Sequence, residues 1–558
     1  MQAEDEVHTR ARRYRPDTLI LETDIETADG ACTVVDFMPM RKAQSDLVRI
    51  VVGRRGCVRL RSDIALRFDY GRLVPWVKQL PEGFDAISGP DAVTAALPVE
   101  SSVSDGKICS RFDVHEGERL HFVLTYRRSH ETPPGPIDAE RALGQTESEW
   151  RAWASQCTFG GRWRDIVVRS LITIKALTYA PTGGIVAAPT TSLPEKIGGC
   201  RNWDYRFCWL RDATFTLQCL SQAGYRAEAA AWRDWLLRAV AGMPTSLQPL
   251  YGIAGEHRVE ESEIPWLPGF AHSHPVRIGN AAHYQLQLDV FGEVLDAMHQ
   301  AREAGLPPEE ASWSLQAALV DHLGSCWRQP DRGIWEVRNG DALFTHSKVM
   351  AWVAFDRAIR TAKACDYHAP LERWSRIRSE IHELVCREGF NRELGSFVRS
   401  FGSGELDAST LLIPIVGFLP ADDPRVRGTV AAIEDRLMHD GFVLRYDSTA
   451  VADGLPSGEG AFLACTFWYA DNLVLQGRRQ QAADVFERLL KITNDVGLLP
   501  EEFNPATGEL LGNFPQALSQ LSLVNTAYNL TQTHGPAAKR SRGGHAPGHS
   551  DRTASAST

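Results

Sequence analysis

The chain has 558 residues, with 60 lysines and arginines against 70 aspartates and glutamates and a net charge of −10. This acidic balance disfavours binding to the phosphate backbone of nucleic acids, so we expect no nucleic-acid partner. A hydrophobic content of 43% with 23% charged residues is typical of a folded globular chain and excludes wholesale disorder. No window approaches about 18 uncharged apolar residues, so we expect no membrane-spanning helix.

The N-terminus and the cysteines bear on the cellular compartment. The opening residues, MQAEDEVHTRARRYRP, have no apolar core and do not form a secretory signal. The 11 cysteines are irregularly spaced, and the close pair Cys200 and Cys208 lacks the spacing and partners of a zinc site. Free thiols in a reducing compartment are the simplest interpretation, which predicts a cytoplasmic protein.

Residues 1–131 are predicted to form an antiparallel β-sandwich. Two apolar runs flank Asp29-Gly30, which is a hairpin signal. Residues 58–68 and 120–124 alternate between apolar and polar side chains, as half-buried strands do. A proline-rich break and a helix follow within a predicted linker, residues 132–160.

Beyond residue 160 the apolar period becomes 3.6, and we predict a run of helices. The predicted spans are 162–177, 211–223, 225–241, 280–304, 308–326, 344–364, 369–387, 407–416, 422–438, 459–476, 479–492 and 515–530. Long and short connections alternate, which favours six helical hairpins closed into an (α/α)6 barrel over residues 161–532. The long loops would then gather at one end, where a rigid scaffold can position functional side chains. Residues 533–558 are rich in Gly, Ser and Ala, and we expect a disordered tail.

The loop before the second of these helices, residues 198–212, concentrates aromatic residues, arginines and aspartates. Buried charges must be paired, so one interpretation is a structural Arg–Asp network. Aromatic planes beside carboxylates and guanidinium groups also suit a sugar ring, which stacks by its apolar face and offers hydroxyl groups. The spacing alone does not choose between these interpretations.

Two further loops, residues 333–340 and 499–508, each place a glutamate beside aromatic or apolar neighbours. Glycoside hydrolysis needs one protonated carboxyl group to donate to the leaving oxygen and one ionised carboxylate. A glutamate packed against tryptophan has a raised pKa, which suits the acid. A lone loop glutamate is more often a solvated or capping residue, so neither loop identifies a function by itself.

Together these loops resemble those of glycoside hydrolase family 15, the family of glucoamylases and bacterial trehalases. Tyr205 followed by Trp209-Leu210-Arg211-Asp212 is similar to the family's Tyr…Trp-x-Arg-Asp element. Gly333-Ile334-Trp335-Glu336 is similar to its acid-bearing loop, and Glu501-Glu502-Phe503 to its base-bearing loop. Residues 453–460 and 512–517 resemble the bacterial branch, and the likeness extends over residues 13–531.

The resemblance implies an inverting, exo-acting α-glucoside hydrolase that needs no cofactor or metal ion. Glu336 would be the general acid and Glu501 the general base, about 6.5–9.5 Å apart so that a water molecule fits between them. The implied substrate-binding residues are Tyr205, Trp209, Arg211, Asp212 and Trp335, with Arg277 as a further candidate.

Several residues compete for these roles. Glu502 is the rival base, and Glu501 is preferred because it lies two residues before Phe503, as in the family pattern. Glu459 lies at a predicted helix start, where a carboxylate caps the helix dipole. His272, His274 and His346 do not predict a metal site, because no third ligand accompanies the loop pair.

The predicted substrate is a small α-glucoside, with α,α-trehalase as the first choice and glucoamylase action on maltodextrins as the alternative. A disaccharide phosphorylase shares the architecture but uses phosphate in place of the base carboxylate, so the carboxylate at Glu501 argues against it. A non-catalytic sugar-binding protein is the remaining alternative, and the presence of both glutamates argues against it. Family members carry further strands before the region matched here, so we expect an incomplete β-sandwich.

Overall fold

The computed structural model describes residues 1–41, 44–135, 137–242, 246–307, 310–451, 453–533 and 535–542. They form two compact units: Met1–Cys157 with Asn494–Gly497, and Thr158–Thr493 with the residues from Leu498 onward. Within the described residues, no helix has both the length and the apolar content needed to cross a membrane.

The N-terminal unit is an antiparallel sheet domain, as predicted. Its strands are β1 (Gln2–Ala3), β2 (Thr9–Tyr14), β3 (Leu21–Glu26), β4 (Gly30–Phe37), β5 (Ser45–Ile64), β6 (Trp76–Leu80), β7 (Gly83–Ser88), β8 (Asp91–Ala96), β9 (Ser101–Ser104), β10 (Lys107–His115) and β11 (Arg119–Arg128). Strand β5 joins two layers, because its first half pairs with β4 and β11 and its second half with β1 and β10.

Alternation along the strands gives this sheet a buried core on each face. Val35 and Ile50 point to one core, and Val34 and Val51 to the other. Helix α1 (Ala139–Ala154) packs against the first core through Ala139 and Leu143. The predicted linker helix is therefore part of the N-terminal unit, because its apolar face is needed to cover the sheet.

The second unit is helical. Its helices are α2 (Arg164–Ala176), α3 (Ala213–Gln222), α4 (Arg226–Val240), α5 (Asp289–Glu303), α6 (Glu310–Cys326), α7 (Thr345–Cys365), α8 (Leu371–Glu388), α9 (Leu412–Ile415), α10 (Pro424–Arg436), α11 (Leu463–Leu475), α12 (Arg479–Lys491), α13 (Ala517–Thr531) and α14 (Pro536–Arg542). A 3-10 turn, Ala408–Leu411, leads into α9. Short strands lie in the loops: β12 (Thr178–Tyr179), β13 (Gly184–Ile185), β14 (Cys208–Trp209), β15 (Leu250–Tyr251), β16 (Ser262–Glu263), β17 (Arg277–Ile278), β18 (Phe390–Asn391), β19 (Ser396–Phe397), β20 (Met438–His439), β21 (Phe442–Val443), β22 (Ala461–Phe462), β23 (Glu502–Asn504) and β24 (Glu509–Leu511).

Six helices form a closed inner ring, in the order α3, α5, α7, α9, α11 and α13, and α13 packs back against α3. The outer helices α2, α4, α6, α8, α10 and α12 pack around them. Inner helices such as α7 and α11 are buried on almost every side, whereas α8 buries one stripe, Trp374, Ile377, Ile381 and Val385. The (α/α)6 barrel is confirmed.

Two predicted boundaries are wrong. The helix expected over 280–304 begins at Asp289, because Asn280 caps a separate 3-10 turn, Ala281–Tyr284, by accepting from the Ala282 N–H. The tail expected to be disordered from residue 533 forms helix α14, whose Arg540 is buried against Asp296. Composition alone does not predict this helix, because the ion pair that Arg540 forms with Asp296 stabilises it despite its small polar residues. The rest of the predicted tail, 543–558, lies outside the described residues.

Candidate active site

The long connections that precede the inner helices meet at one end of the barrel and enclose a cavity of about 1000 Å³, part of it open to solvent. Six of the predicted site residues line this cavity: Tyr205, Trp209, Arg211, Asp212, Trp335 and Glu336. Aromatic and charged side chains thus alternate around one space, as recognition of a polar ring requires.

The loop 198–212 contains a buried Arg–Asp pair and also supplies residues to the cavity lining. Asp204 is buried and accepts hydrogen bonds from the Arg206 side chain, Nε at 2.8 Å and Nη2 at 2.7 Å, and from the Gly279 N–H at 3.1 Å. That pair is structural. Arg211 and Asp212 line the cavity instead. Burial raises the pKa of Asp212 to about 6, against the opposing effect of Arg211.

Glu336 is fixed on the cavity wall by two donors from that loop. Its Oε1 accepts from Trp209 Nε1 at 2.9 Å and from Arg211 Nη2 at 3.3 Å. Its backbone has a φ of +57°, a conformation that costs free energy in a residue with a side chain. The carboxyl group is thereby held in one orientation on the cavity wall, in the connection that precedes helix α7.

The neighbouring Trp335 is equally constrained. Its Nε1 donates to both oxygens of Asp407, at 2.9 and 3.0 Å. Phe462 and Trp468 pack against its ring, with centroids 5.6 and 6.2 Å away. The indole therefore presents a rigid apolar surface to the cavity.

Glu501 lies behind Tyr205 and is buried, with 1% of its surface exposed. The Tyr205 hydroxyl donates to its Oε1 at 2.6 Å, and the Asn513 N–H donates to its Oε2 at 3.2 Å. Burial raises the pKa of Glu501, the carboxylate of Glu195 raises it further, and the bond from Tyr205 lowers it. Tyr205 itself lines the cavity, so its hydroxyl connects Glu501 to that space.

The rival carboxylates Glu502 and Glu459 are paired with arginine. Arg445 lies 2.7 Å from Glu459, 3.3 Å from Glu502 and 3.0 Å from Glu195. The Gly460 N–H also donates to Glu502 at 2.8 Å. Glu501 thus differs from both rivals in having a tyrosine hydroxyl as its side-chain donor.

Within the described residues, one cluster of three potential metal ligands has its side chains close enough together to hold a cation. It consists of Glu195, Glu459 and Glu502. Arg201 lies 2.9 Å from Glu459, so two guanidinium groups already lie among the three carboxylates. Of the histidines, His346 is buried in α7, and burial lowers its pKa to about 3, which keeps it neutral.

Arg277 does not lie among the residues that line the cavity. Its Nη1 donates to the carbonyl oxygens of Cys200 and Asn202, at 2.9 and 3.1 Å, which holds their loop in place. Arg338, by contrast, does line the cavity, and its guanidinium group lies 4.3 Å from the Trp203 ring centre. Arg338 was not among the predicted site residues, although it lies two residues after Glu336.

Glu293 lines the cavity from inner helix α5 and was also not among the predicted site residues. Asp289, Glu293 and Asp296 follow one another at spacings of four and three residues, which places three acidic side chains on one helix face. All three are buried. This spacing of acidic residues is visible in the sequence. It could have indicated a site, because carboxyl groups on a buried helix face are costly unless they have partners.

Comparisons with known proteins identify the family of the chain. The family described as glycosyl hydrolases family 15 matches residues 161–528, and the chain belongs to this family. It is therefore a glycoside hydrolase.

The relatives and the solved structures are consistent with that assignment. A trehalase of Thermoplasma acidophilum is 34% identical over 524 residues, which are 93% of this chain and 90% of the relative. A trehalase of Mycobacterium tuberculosis is 37% identical over 552 residues, 93% of this chain and 81% of the relative. A solved bacterial glucoamylase complexed with acarbose shares the fold, with a TM-score of 0.72 and 13% identity over 95% of this chain and 87% of its own.

Proposed function

We propose that this protein hydrolyses α,α-trehalose to glucose with inversion, with Glu336 as general acid and Glu501 as general base. The observation that carries the proposal is the separate anchoring of the two carboxyl groups. Trp209 and Arg211 hold Glu336 on the cavity wall, and Tyr205 holds Glu501 behind it. An inverting hydrolase needs two carboxyl groups in separate positions, one for the leaving oxygen and one for the water molecule. Relatives named trehalase, 34–37% identical over 93% of the chain, support the choice of substrate.

In this mechanism Glu336 donates its proton to the oxygen that joins the two glucosyl units, as the bond from that oxygen to C1 breaks. Glu501 takes a proton from a water molecule, whose oxygen bonds to C1 from the opposite face. One trehalose and one water give two glucose molecules. Proton exchange with solvent then returns both carboxyl groups to their starting states.

The remaining lining residues recognise the glucosyl unit that is cleaved. Arg211 and Asp212 offer a charged donor and a charged acceptor to its hydroxyl groups. The fixed ring of Trp335 and the neighbouring Trp209 cover its apolar face. Arg277 acts through the loop that it supports.

All 11 cysteines lie within the described residues and none forms a disulfide, which supports a location in the cytoplasm.

Hydrolysis of other α-glucosides is the second candidate function. An isomaltose glucohydrolase of Kribbella flavida is 30% identical over 281 residues, 47% of this chain and 65% of the relative. The substrate is decided by measuring glucose release from trehalose, maltose, isomaltose and maltodextrin, each with and without phosphate. Release from trehalose without phosphate supports the proposal, release from maltodextrin alone indicates a glucoamylase, and strict dependence on phosphate contradicts hydrolysis.

The assignment of the base is tested by comparing Glu501→Gln with Glu502→Gln. Glu501→Gln should lower kcat on trehalose by about 10²- to 10⁴-fold, because the water loses its proton acceptor. Glu502→Gln should lower the Tm, because Arg445 loses one of its partners, and should keep kcat within about 10-fold. Near-full activity of the Glu501 variant with loss in the Glu502 variant would reverse the assignment.

A further inference from the structure

Helix α14 lies across the end of the barrel opposite the cavity. It packs against α9, α11 and α13. The Ala537 N–H donates to Asn529 Oδ1 near the end of α13, at 2.9 Å. Gly417, two residues after α9, has a φ of +79°, and a Cβ there would lie 2.5 Å from the Ser541 carbonyl oxygen. The contacts of α14 are thus with the C-terminal ends of inner helices, whereas the cavity lies before their N-terminal ends.

Arg540 extends from α14 into the barrel and is 1% exposed. Its Nε donates to Asp296 Oδ2 at 2.5 Å, and its Nη2 lies 3.6 Å from Glu293 Oε2. Its guanidinium carbon lies 5.2 Å from the Phe215 ring centre. Glu293 and Phe215 both line the cavity. Arg540 therefore touches two residues of the cavity wall from the side away from the cavity.

The two acidic partners of Arg540 differ in their other contacts. Asp296 has a second cation, because Arg357 Nε donates to its Oδ1 at 2.8 Å. For Glu293, Arg540 is the one cationic side chain within salt-bridge distance in the part of the chain that the structure describes. Its Oε2 has no hydrogen bond in that part of the chain. Removal of Arg540 would leave Glu293 as a buried acid without a compensating cation.

From this geometry we propose that Arg540 is a positioning residue, which holds the Glu293 carboxyl group at the floor of the cavity to contact a sugar hydroxyl. The inference rests on the proposed glucoside hydrolysis and adds to it a binding residue on α5 and its support on α14. Burial raises the pKa of Glu293 to about 8, and Arg540 opposes that rise.

The test is a double-mutant cycle in the full-length protein, with Arg540→Gln, Glu293→Gln and the double variant assayed on trehalose. Arg540→Gln should lower kcat/KM about 10-fold, and the same change in the Glu293→Gln background should have less than about 3-fold effect. Arg540→Lys should recover most of the loss. Lys539→Gln, which removes an exposed cation from the same helix, serves as the control and should leave kcat/KM unchanged.

Wild-type kinetics in a folded Arg540→Gln protein would overturn the proposal, as would an equal loss with and without the Glu293 carboxylate. If Arg540→Gln does not fold, the double variant carries the test. The double variant should fold, and its kcat/KM on trehalose should equal that of Glu293→Gln. Failure of the double variant to fold would contradict a role of Arg540 through Glu293.

The same variants separate this inference from the proposed function. If the wild-type protein releases no glucose from any α-glucoside, the proposed function fails. Glucose binding measured by calorimetry then tests the floor of the cavity. Binding weakened by Arg540→Gln and restored by Arg540→Lys supports the inference, and unchanged binding overturns it.

Discussion

The hydroxyl group of Tyr205 lies between the cavity and Glu501, so a change at Tyr205 is the most direct test of Glu501 as the proposed base. Burial and the Glu501 carboxylate raise the pKa of Tyr205 well above its ordinary value, so the phenol keeps its proton and donates it in a hydrogen bond. That bond favours the ionised form of Glu501.

Tyr205→Phe should therefore raise the pKa of Glu501. Because the base must be ionised, activity is lost as the pH falls through this pKa, and the ascending limb of the kcat/KM profile should move to higher pH. Tyr126→Phe is the matched control, since Tyr126 donates to Asp91 at the same 2.6 Å in the N-terminal unit. An unmoved limb in Tyr205→Phe would mean that a different group is the base.

At this scale, residues in recognisable local patterns were predictable from the sequence. Tyr205, Trp209, Arg211, Asp212, Trp335 and Glu336 lie on the cavity as expected, because each occurs in a short segment with its neighbours. Arg277 and Arg338 could not be told apart, because both are loop arginines near Trp203. Their difference depends on the backbone path of a long loop, which sequence patterns do not specify.

Among the elements, the hairpin of β23 and β24 positions Glu501, the proposed base. Glu501 immediately precedes β23, and Gly512 immediately follows β24. Gly512 has a φ of +74°, and a Cβ at this position would lie 2.4 Å from Glu501 Oε2. Glycine is needed here both for the backbone conformation and for the close approach of the carboxylate.

Gly512→Ala should lower stability and also displace Glu501, with a fall in kcat of about 10-fold or more. Gly508→Ala is the matched control, because Gly508 has a φ of +75° with nothing within 4 Å of its Cβ position. Both variants should lose about 1–2 kcal/mol of unfolding free energy through backbone strain. Equal kcat in the two variants would show that the carboxylate does not depend on this contact.

The two errors at the level of elements have different physical origins. Helix α5 starts at Asp289 rather than near residue 280, because a cap at Asn280 diverts the chain into a separate turn. Helix α14 forms although its composition suggests disorder, because Arg540 meets Asp296 from a distant part of the chain. A local cap decided the first and a tertiary contact the second, and apolar periodicity contains no information about either.

The whole molecule keeps several acidic groups in the barrel interior, and these make its stability depend on pH. Asp471 on α11 accepts a hydrogen bond from Asn529 at 2.8 Å, and burial raises its pKa to about 7. Between pH 4 and pH 7 the unfolded chain ionises this group while the folded protein keeps it protonated. The free energy of unfolding therefore falls as the pH rises through this window.

Asp471→Asn removes that titration. Its unfolding free energy relative to the wild-type protein should rise by about 1–3 kcal/mol between pH 4 and pH 8, measured by urea unfolding. Asp435→Asn serves as the control, because this carboxylate is 80% exposed and should show no such trend. A constant difference between Asp471→Asn and wild type across this range would mean that the carboxyl group is ionised in the folded protein.

The global architecture was predictable because it depends on repetition. Alternating long and short connections specify a closed ring of hairpins, and a change of apolar period from two to 3.6 marks the sheet domain and the barrel. Contacts between distant segments, such as Glu293 with Arg540 or Glu195 with Arg445, were not predictable, since neither partner signals the other.

The proposed activity is hydrolysis of trehalose with inversion by Glu336 and Glu501. The most direct measurement is the anomeric composition of the first glucose formed from trehalose in phosphate-free buffer, followed by proton NMR before mutarotation. Water attacks C1 of one glucosyl unit and inverts it, which gives β-glucose. The departing unit keeps its α configuration. The account predicts equal amounts of α- and β-glucose at the earliest times. Release of α-glucose alone, or no release without phosphate, would contradict it.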